Sequence, residues 1–237
     1  MRLIELSGDR EIMPARVETG SFFSTTDTEK VRQKLLELGY LQMAYEKPFT
    51  QTVYFAEPSG RTPSGGYVRL RRYTNAPSAT VFDVTAGGSS WYFEGKITQG
   101  VKERLVVPAG VGLALFSDPS VRGLLKDLLP GTYILLDRVG SLYPVAATQW
   151  RREHYVLNET ERATIDSSLK YFGFLPGEQK GYLMGEDSGN RLEWKSGRGI
   201  IPPLEIEGVN LVPIPPKWHE ATIRKMYNEW IKAKNNE

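Results

Sequence analysis

Tyr67-Val68-Arg69-Leu70-Arg71 alternates apolar and cationic side chains with a period of two, the period of a β-strand. Val68 and Leu70 point to one side, Arg69 and Arg71 to the other. One such strand means little, because a half-buried strand commonly carries polar residues on its outer face. The pattern repeats, however. Residues 91–97 put Glu94 and Lys96 together, opposite Trp91, Phe93 and Ile97. Residues 161–166 align Arg162, Thr164 and Asp166 against Ala163 and Ile165, and Arg191, Glu193 and Lys195 oppose Leu192 and Trp194. Glu205 and Glu207 oppose Leu204 and Ile206, Arg16 shares a face with Glu18, and Lys102 shares one with Arg104, although Glu103 blurs that last pattern.

Working outward, β-like runs bounded by Gly, Pro, Ser, Asn and Asp fall at residues 15–23, 51–55, 67–73, 90–97, 101–107, 147–156, 161–166, 190–195 and 204–208. Three segments read as helices. Residues 26–38 open on a Thr26/Glu29 capping box and stop at Gly39. Asp118-Pro119 starts a second, with Val121, Leu124, Leu125 and Leu128 on one face, and Pro130-Gly131 ends it. A third spans about residues 217–233, with Ile223, Met226, Tyr227 and Trp230 as its stripe. Many strands with few helices predict an α+β, mainly β chain built on one antiparallel sheet, organised as a single domain over residues 1–237.

Amphipathic helices need a greasy surface, and the faces bearing Trp91, Phe93, Trp194 and Ile206 offer it. If helices cover the outside, the charged faces point inward, into a closed barrel with a wet interior. Its lining then holds Arg16, Arg69, Arg71, Lys96, Lys102, Arg104, Arg152, Arg162 and Lys195 against Glu18, Glu94, Asp166, Glu193, Glu205 and Glu207. The excess is cationic and mostly arginine, whose planar fork suits phosphate oxygens. A few carboxylates among the arginines suit Mg²⁺ or Mn²⁺ bound together with phosphates. A polyanion carrying a metal ion is the ligand this lining describes.

Composition removes several other chemistries. The 237 residues are 40% hydrophobic and 24% charged, inside the ordinary globular range. Cysteine is absent, which excludes disulfides, zinc fingers and thiol nucleophiles. A formal charge of +2 gives no overall field for nucleic acid. No apolar run is long enough for a membrane span, and Glu5 comes too early for a secretory leader, so a cytoplasmic location is the expectation. No Walker-type phosphate loop occurs, and two histidines without a nucleophile elbow argue against a serine-hydrolase triad.

Six runs carry a resemblance: Tyr54-Phe55, Arg69-Leu70-Arg71-Arg72-Tyr73, Phe93-Glu94-Gly95-Lys96, Trp150-Arg151-Arg152-Glu153-His154-Tyr155, Arg162-Ala163-Thr164-Ile165-Asp166 and Leu192-Glu193-Trp194-Lys195. In this order the chain resembles VTC domains, the catalytic domains of vacuolar transporter chaperone polyphosphate polymerases, within the CYTH-like triphosphate tunnel metalloenzyme superfamily. The resemblance implies an antiparallel tunnel of about eight strands with helices outside. It also implies that Arg69, Arg71, Lys96, Arg152 and Arg162 hold phosphates and that Glu193 holds Mg²⁺ or Mn²⁺, with Glu18 a second candidate. Lys217, in Pro216-Lys217-Trp218, resembles a late lysine motif of the family. Arg16, Lys102, Arg104 and Lys195 join these as substrate-binding candidates from their strand faces. The chain departs from the family at Gly20, where lysine is usual, and at Ala56, where aspartate is usual. The leading expectation is metal-dependent phosphoryl transfer that builds polyphosphate from a nucleoside triphosphate. The alternatives are a tripolyphosphatase or nucleoside triphosphatase, and a module that binds polyphosphate without turnover.

Overall fold

A computed structural model of the chain describes residues 10–13, 19–64, 66–86, 90–97, 101–196, 206–215, 222, 223, 225 and 228. In chain order the elements are β1 (Arg10–Met13), β2 (Thr19–Thr25), α1 (Thr28–Glu37), β3 (Leu41–Met43), β4 (Phe49–Ala56), β5 (Gly66–Thr74), β6 (Val81–Asp83), β7 (Ser90–Ile97) and β8 (Lys102–Pro108). Then follow α2 (Ala109–Ser117), a 3₁₀ segment (Pro119–Leu124), α3 (Leu125–Leu128), α4 (Pro130–Asp137), β9 (Tyr143–Val156), β10 (Glu161–Phe174), β11 (Lys180–Asp187), β12 (Asn190–Ser196) and β13 (Val212–Pro213).

The described strands pair antiparallel along the path β1-β8-β7-β5-β4-β9-β10-β12-β2-β13, with β3, β6 and β11 attached beside it. Alternation along each strand sorts side chains into two faces. Val53, Phe55, Val68, Leu70, Trp91, Phe93, Leu105, Val107 and Ala147 form the apolar face, which packs on Leu113, Leu115 and Phe116 of α2 and Leu135 and Leu136 of α4. At the other end of the sheet, Val31 and Leu35 of α1 cover Tyr155, Ala163, Ile165, Leu192 and Trp194. The expected division therefore holds for these helices, and the opposite, inner face is the charged one.

The expected closure does not appear. The sheet is an open path among the described residues, with β1 at one end and β13, paired to β2, at the other. Of the expected first strand, residues 15–23, the described part belongs to β2, which bonds to β12, while β1, which the sequence pattern does not predict, bonds to β8 at the other end of the path. Only residues 14–18 separate β1 from β2, so the chain tethers the two regions within roughly 22 Å at full extension. Arg16 and Glu18 lie in that interval, outside the described residues, as do Glu205, Lys217 and most of the expected C-terminal helix.

Several element boundaries also differ from expectation. Asp27, not Thr26, caps α1, accepting a bond from the Lys30 N–H at 3.1 Å. Residues 204–208 are not a strand where they are described: 206–210 form a turn. Pro130 begins a helix instead of ending one, since a proline lacks only an N–H that the first helical turn leaves unused. Glu103 explains how that helix is held. It is 3% exposed, and its carboxylate accepts from the N–H of Gly131 and from the N–H and hydroxyl of Thr132 at 2.7–3.0 Å. The helix seats closely on the sheet: a Cβ on Gly95 would come within 2.0 Å of Thr132 Oγ1.

Helices do not all keep to the outer face. Ile223, which is helical, packs against the cluster of Trp150, Leu169 and Tyr171. Trp150 shares its side of β9 with Arg152, so this contact is on the inner face. No described helix is long and apolar enough to cross a membrane.

Candidate anion-binding site

The register of the sheet sets charge against charge. Arg69 of β5 lies opposite Glu94 of β7, which lies opposite Arg104 of β8. Across the sheet, Asp166 of β10 lies opposite both Arg152 of β9 and Arg191 of β12, and Arg162 opposite Lys195. These pairs project from the inner face, so the even spacing read from the sequence becomes two clusters.

Glu94 is the centre of the first. Its side chain is 0% exposed and meets four cations. Arg69 places Nε and Nη2 at 2.9 Å from Oε2, and Arg71 Nη1 lies at 3.7 Å from the same oxygen. Lys102 Nζ and Arg104 Nη2 are each 2.9 Å from Oε1. Burial would push the Glu94 carboxyl up, but Arg71, Arg69 and Lys102 together hold it well below the usual carboxylate range. Lys102 moves the other way. Burial pulls its ammonium down to about 8, with Glu94 only partly opposing.

The second cluster is built on Arg152, which grips Asp166 in a bidentate pair at 2.6 and 2.5 Å. Glu193 sits beside it: Lys195 Nζ is 2.9 Å from Oε1, while Oε2 is 3.4 Å from the Thr164 hydroxyl and 3.9 Å from Arg152. Burial opposes the charge on Arg152, yet Asp166 outweighs it and raises the guanidinium further. Glu193 is lowered because Lys195 and Arg152 overcome the effect of burial. The two clusters share one field, since Arg71 and Arg152 disfavour each other's charge and Arg71 also acts on Asp166. Arg191 forms a short ion pair with Asp187. His154, next on the same face, is held down to about 4 by burial and then by Arg152 and Arg162, so it is neutral at pH 7.

Aromatic rings support these cations, a feature the sequence reading missed. Arg69 lies over Tyr67 at 4.4 Å, Arg104 over Tyr92 at 4.5 Å, and Trp150 sits between Arg71 and Arg152 at 5.9 and 5.5 Å. Such stacking fixes the plane of a guanidinium while leaving its N–H edge for an oxyanion. The signal was available: Tyr67, Tyr92 and Trp150 have the same strand parity as the charges they support.

The structure brings together Arg69, Arg71, Lys102, Arg104, Arg152, Arg162 and Lys195 on one face with Glu94, Asp166 and Glu193. It does not bring in Lys96, which has the expected parity but is exposed near the end of β7. Glu207 is exposed in its turn and takes no part in the lining.

Among the described residues no three His, Asp or Glu side chains converge as a metal cage. Both Asp166 oxygens are taken by Arg152, but Glu193 Oε2 has only longer partners. That fits an ion held chiefly by substrate phosphates and one or two carboxylates, the usual mode for Mg²⁺. It does not fit a resident, all-protein site.

Comparison with known proteins found no matching family model and no curated relative. Among solved structures, the chain is similar to a candidate adenylate cyclase from Vibrio parahaemolyticus at 9% identity and TM-score 0.41, covering 90% of this chain and 85% of that one. It is similar to a candidate adenylyl cyclase from Hippeastrum, described as having a dominant triphosphatase activity, at 14% identity and TM-score 0.42, covering 89% and 88%. A Pyrococcus horikoshii protein is similar at 13% identity and TM-score 0.38, covering 90% and 88%.

Proposed function

We propose that the charged face lines an enclosed tunnel, whose two ends carry β1, bonded to β8, and β2, bonded to β12. On this reading the tunnel binds a triphosphate group, free or as part of a nucleotide, and supports transfer of its terminal phosphoryl group. The whole chain, residues 1–237, is taken as one unit of this kind. The observation that carries the reading is Glu94, a fully buried carboxylate ringed by Arg69, Arg71, Lys102 and Arg104. Three of those cations, Arg69, Arg71 and Lys102, already exceed the one negative charge that Glu94 supplies. Among the described residues, Arg69, Arg71 and Lys102 share that one carboxylate with Arg104. Buried charge of one sign is expensive unless a counter-charge joins it, and a multiply charged phosphate chain supplies that.

The chain's own residues position the substrate and neutralise charge, which is most of what phosphoryl transfer asks of a protein. Arg69, Arg71, Arg152 and Arg162 engage non-bridging oxygens, with Lys102, Arg104 and Lys195 as supporting charge. Arg16 and Lys217, which lie outside the described residues, are further candidates for phosphate contact, whereas Lys96 is exposed at the end of β7 and is left out of the path. Glu193, with Glu18 as the second carboxylate, would hold a Mg²⁺ or Mn²⁺ ion that arrives with the phosphates and adds charge neutralisation. Water as acceptor gives a triphosphatase, and a phosphate chain as acceptor gives a polyphosphate polymerase.

The experiment is incubation of purified protein with tripolyphosphate or ATP and Mn²⁺, following both phosphate release and polymer. Arg71→Ala is expected to lower kcat/KM about a hundredfold, the scale of losing one oxyanion donor. Absence of both products, with binding intact, leaves a triphosphate-binding module; absence of binding as well overturns the reading.

A pH dependence follows from Lys102. Its ammonium deprotonates near pH 8, so raising pH from 7 to 9 removes one positive charge from the site. Tripolyphosphate affinity is expected to fall on the order of threefold to tenfold over that range. In Lys102→Arg, charged throughout, that part of the fall disappears. Identical calorimetric titrations for the two proteins would remove Lys102 from the site.

A further inference from the structure

Beside the charged face lies a groove of about 310 Å³, walled by Met43, Tyr45, Pro48, Arg151, Arg152 and Glu153. It is formed where β3 pairs with the end of β9, setting Met43 opposite His154, and where residues 44–48 turn back toward β4. Arg152 belongs to both places: it forms one wall of the groove and grips Asp166 on the inner face. The groove and the proposed phosphate site therefore meet at one residue, Arg152.

Tyr45 gives this groove its chemistry. Its ring lies 4.4 Å from the His154 ring at a 38° tilt, so one face is supported by a side chain of the inner row. The residue nevertheless remains 52% exposed, and Met43 beside it 45%. A large aromatic side chain supported from below and open above is a poor use of apolar area in a free protein. It suits a flat ligand that brings its own π-face. Met43 adds a soft, adaptable wall, and Arg151 is an exposed cation at the rim.

We propose that this groove receives the base of a nucleoside triphosphate, stacked on Tyr45, while its phosphates run past Arg152 onto the charged face. The inference rests on the triphosphate reading above and narrows it, since inorganic triphosphate has nothing to place in the groove. Stacking is tolerant of base identity because every base presents a π-face. Adenine and guanine nucleotides should thus be bound with similar gain.

The test is equilibrium binding of ATP, GTP and tripolyphosphate without divalent ions, to wild type, Tyr45→Ala and Tyr45→Phe. The alanine variant is expected to bind both nucleotides about tenfold more weakly, within the range for base–aromatic stacking. It should bind tripolyphosphate within twofold of wild type, and the phenylalanine variant should retain nucleotide affinity. Equal losses for nucleotide and tripolyphosphate, or no loss for either, overturn the groove as a base site while leaving the triphosphate reading intact. If wild type binds none of the three ligands, both the reading and the inference fall. Melting temperatures check the variants' folding, which a half-exposed side chain should not disturb.

Discussion

Glu94→Gln is expected to lower the melting temperature by about 10 °C in anion-free buffer, and to lose less than that when tripolyphosphate is present. The substitution keeps shape and removes one charge. What remains is a set of four cations, Arg69, Arg71, Lys102 and Arg104, whose side chains are 10–21% exposed and whose shared counter-ion has gone. Breaking a buried ion pair by neutralising one partner typically costs about 3–5 kcal/mol. In a chain of this size each kcal/mol shifts the midpoint by roughly 2–4 °C. The sign with anion follows from mass action: a ligand that binds only the folded state stabilises it, and the variant's uncompensated cations should bind one more tightly. Thermal melts with and without tripolyphosphate are the measurement. A variant that melts like wild type, or that gains no more from the anion than wild type does, would contradict the central placement of Glu94.

The second large effect lies far from any ligand. Arg122 is 2% exposed, has no carboxylate partner among the described contacts, and spends all five of its N–H groups on backbone carbonyls. Nε donates to Leu115 at 3.1 Å, Nη1 to Leu136 and Val139 at 2.6 and 2.7 Å, and Nη2 to Phe116 and Gly140, both at 2.6 Å. Those carbonyls lie in or just beyond the last turns of α2 and α4, where helices leave acceptors unused and the macrodipole favours a cation. Arg122→Met would fill most of the space and strip a donor from all five carbonyls; Phe116 and Leu136 keep main-chain donors and Gly140 is exposed, which leaves Leu115 and Val139 bare. At about 1–3 kcal/mol for each of those two, with three charge-assisted bonds to the other carbonyls lost besides, the loss rivals the stability of an ordinary domain. Arg122→Lys is expected to fail nearly as badly, with a midpoint at least 10 °C below wild type, because an ammonium has three donors and no fork. Urea or thermal unfolding of the lysine variant is the decisive measurement, since the methionine variant is expected not to accumulate folded. A lysine variant as stable as wild type would show that the five bonds carry little.

Much of the inner face was legible because alternation is a local signal that each strand states independently. Arg69, Arg71, Glu94, Arg152, Arg162 and Glu193 were all assigned to one side from spacing of two, and they face one another across the sheet. The strand Glu161–Phe174 shows where that signal fails. Alternation predicts it only to Asp166, because a bulge between Ser167 and Lys170, with Ser168 at φ 54°, inserts one residue and reverses the faces. Leu169 and Tyr171 then continue the inner face, and Phe172 and Phe174 the outer one. A reader looking for unbroken alternation stops there. Arg122 left no trace at all, since its partners are main-chain groups that any sequence would supply. Helix α2 was also hidden: Gly110–Phe116 is apolar all round, and a helix buried on every side has no periodicity to find. Pairing partners distant in sequence, and with them the question of closure, were beyond reach of local pattern.

The pairing of β2 with β12 has a consequence during synthesis. Phe23 meets Leu192, roughly 170 residues later in the chain, whereas β4 with β5, β7 with β8 and β9 with β10 are near neighbours. At about 5–20 residues per second, the ribosome delivers that partner on the order of ten to thirty seconds after Phe23 emerges. Until then, Val31 and Leu35 wait without the Leu192 and Trp194 surface that covers them. The nascent amino-terminal region is thus a natural client for chaperones that hold greasy segments until the rest of the polypeptide arrives.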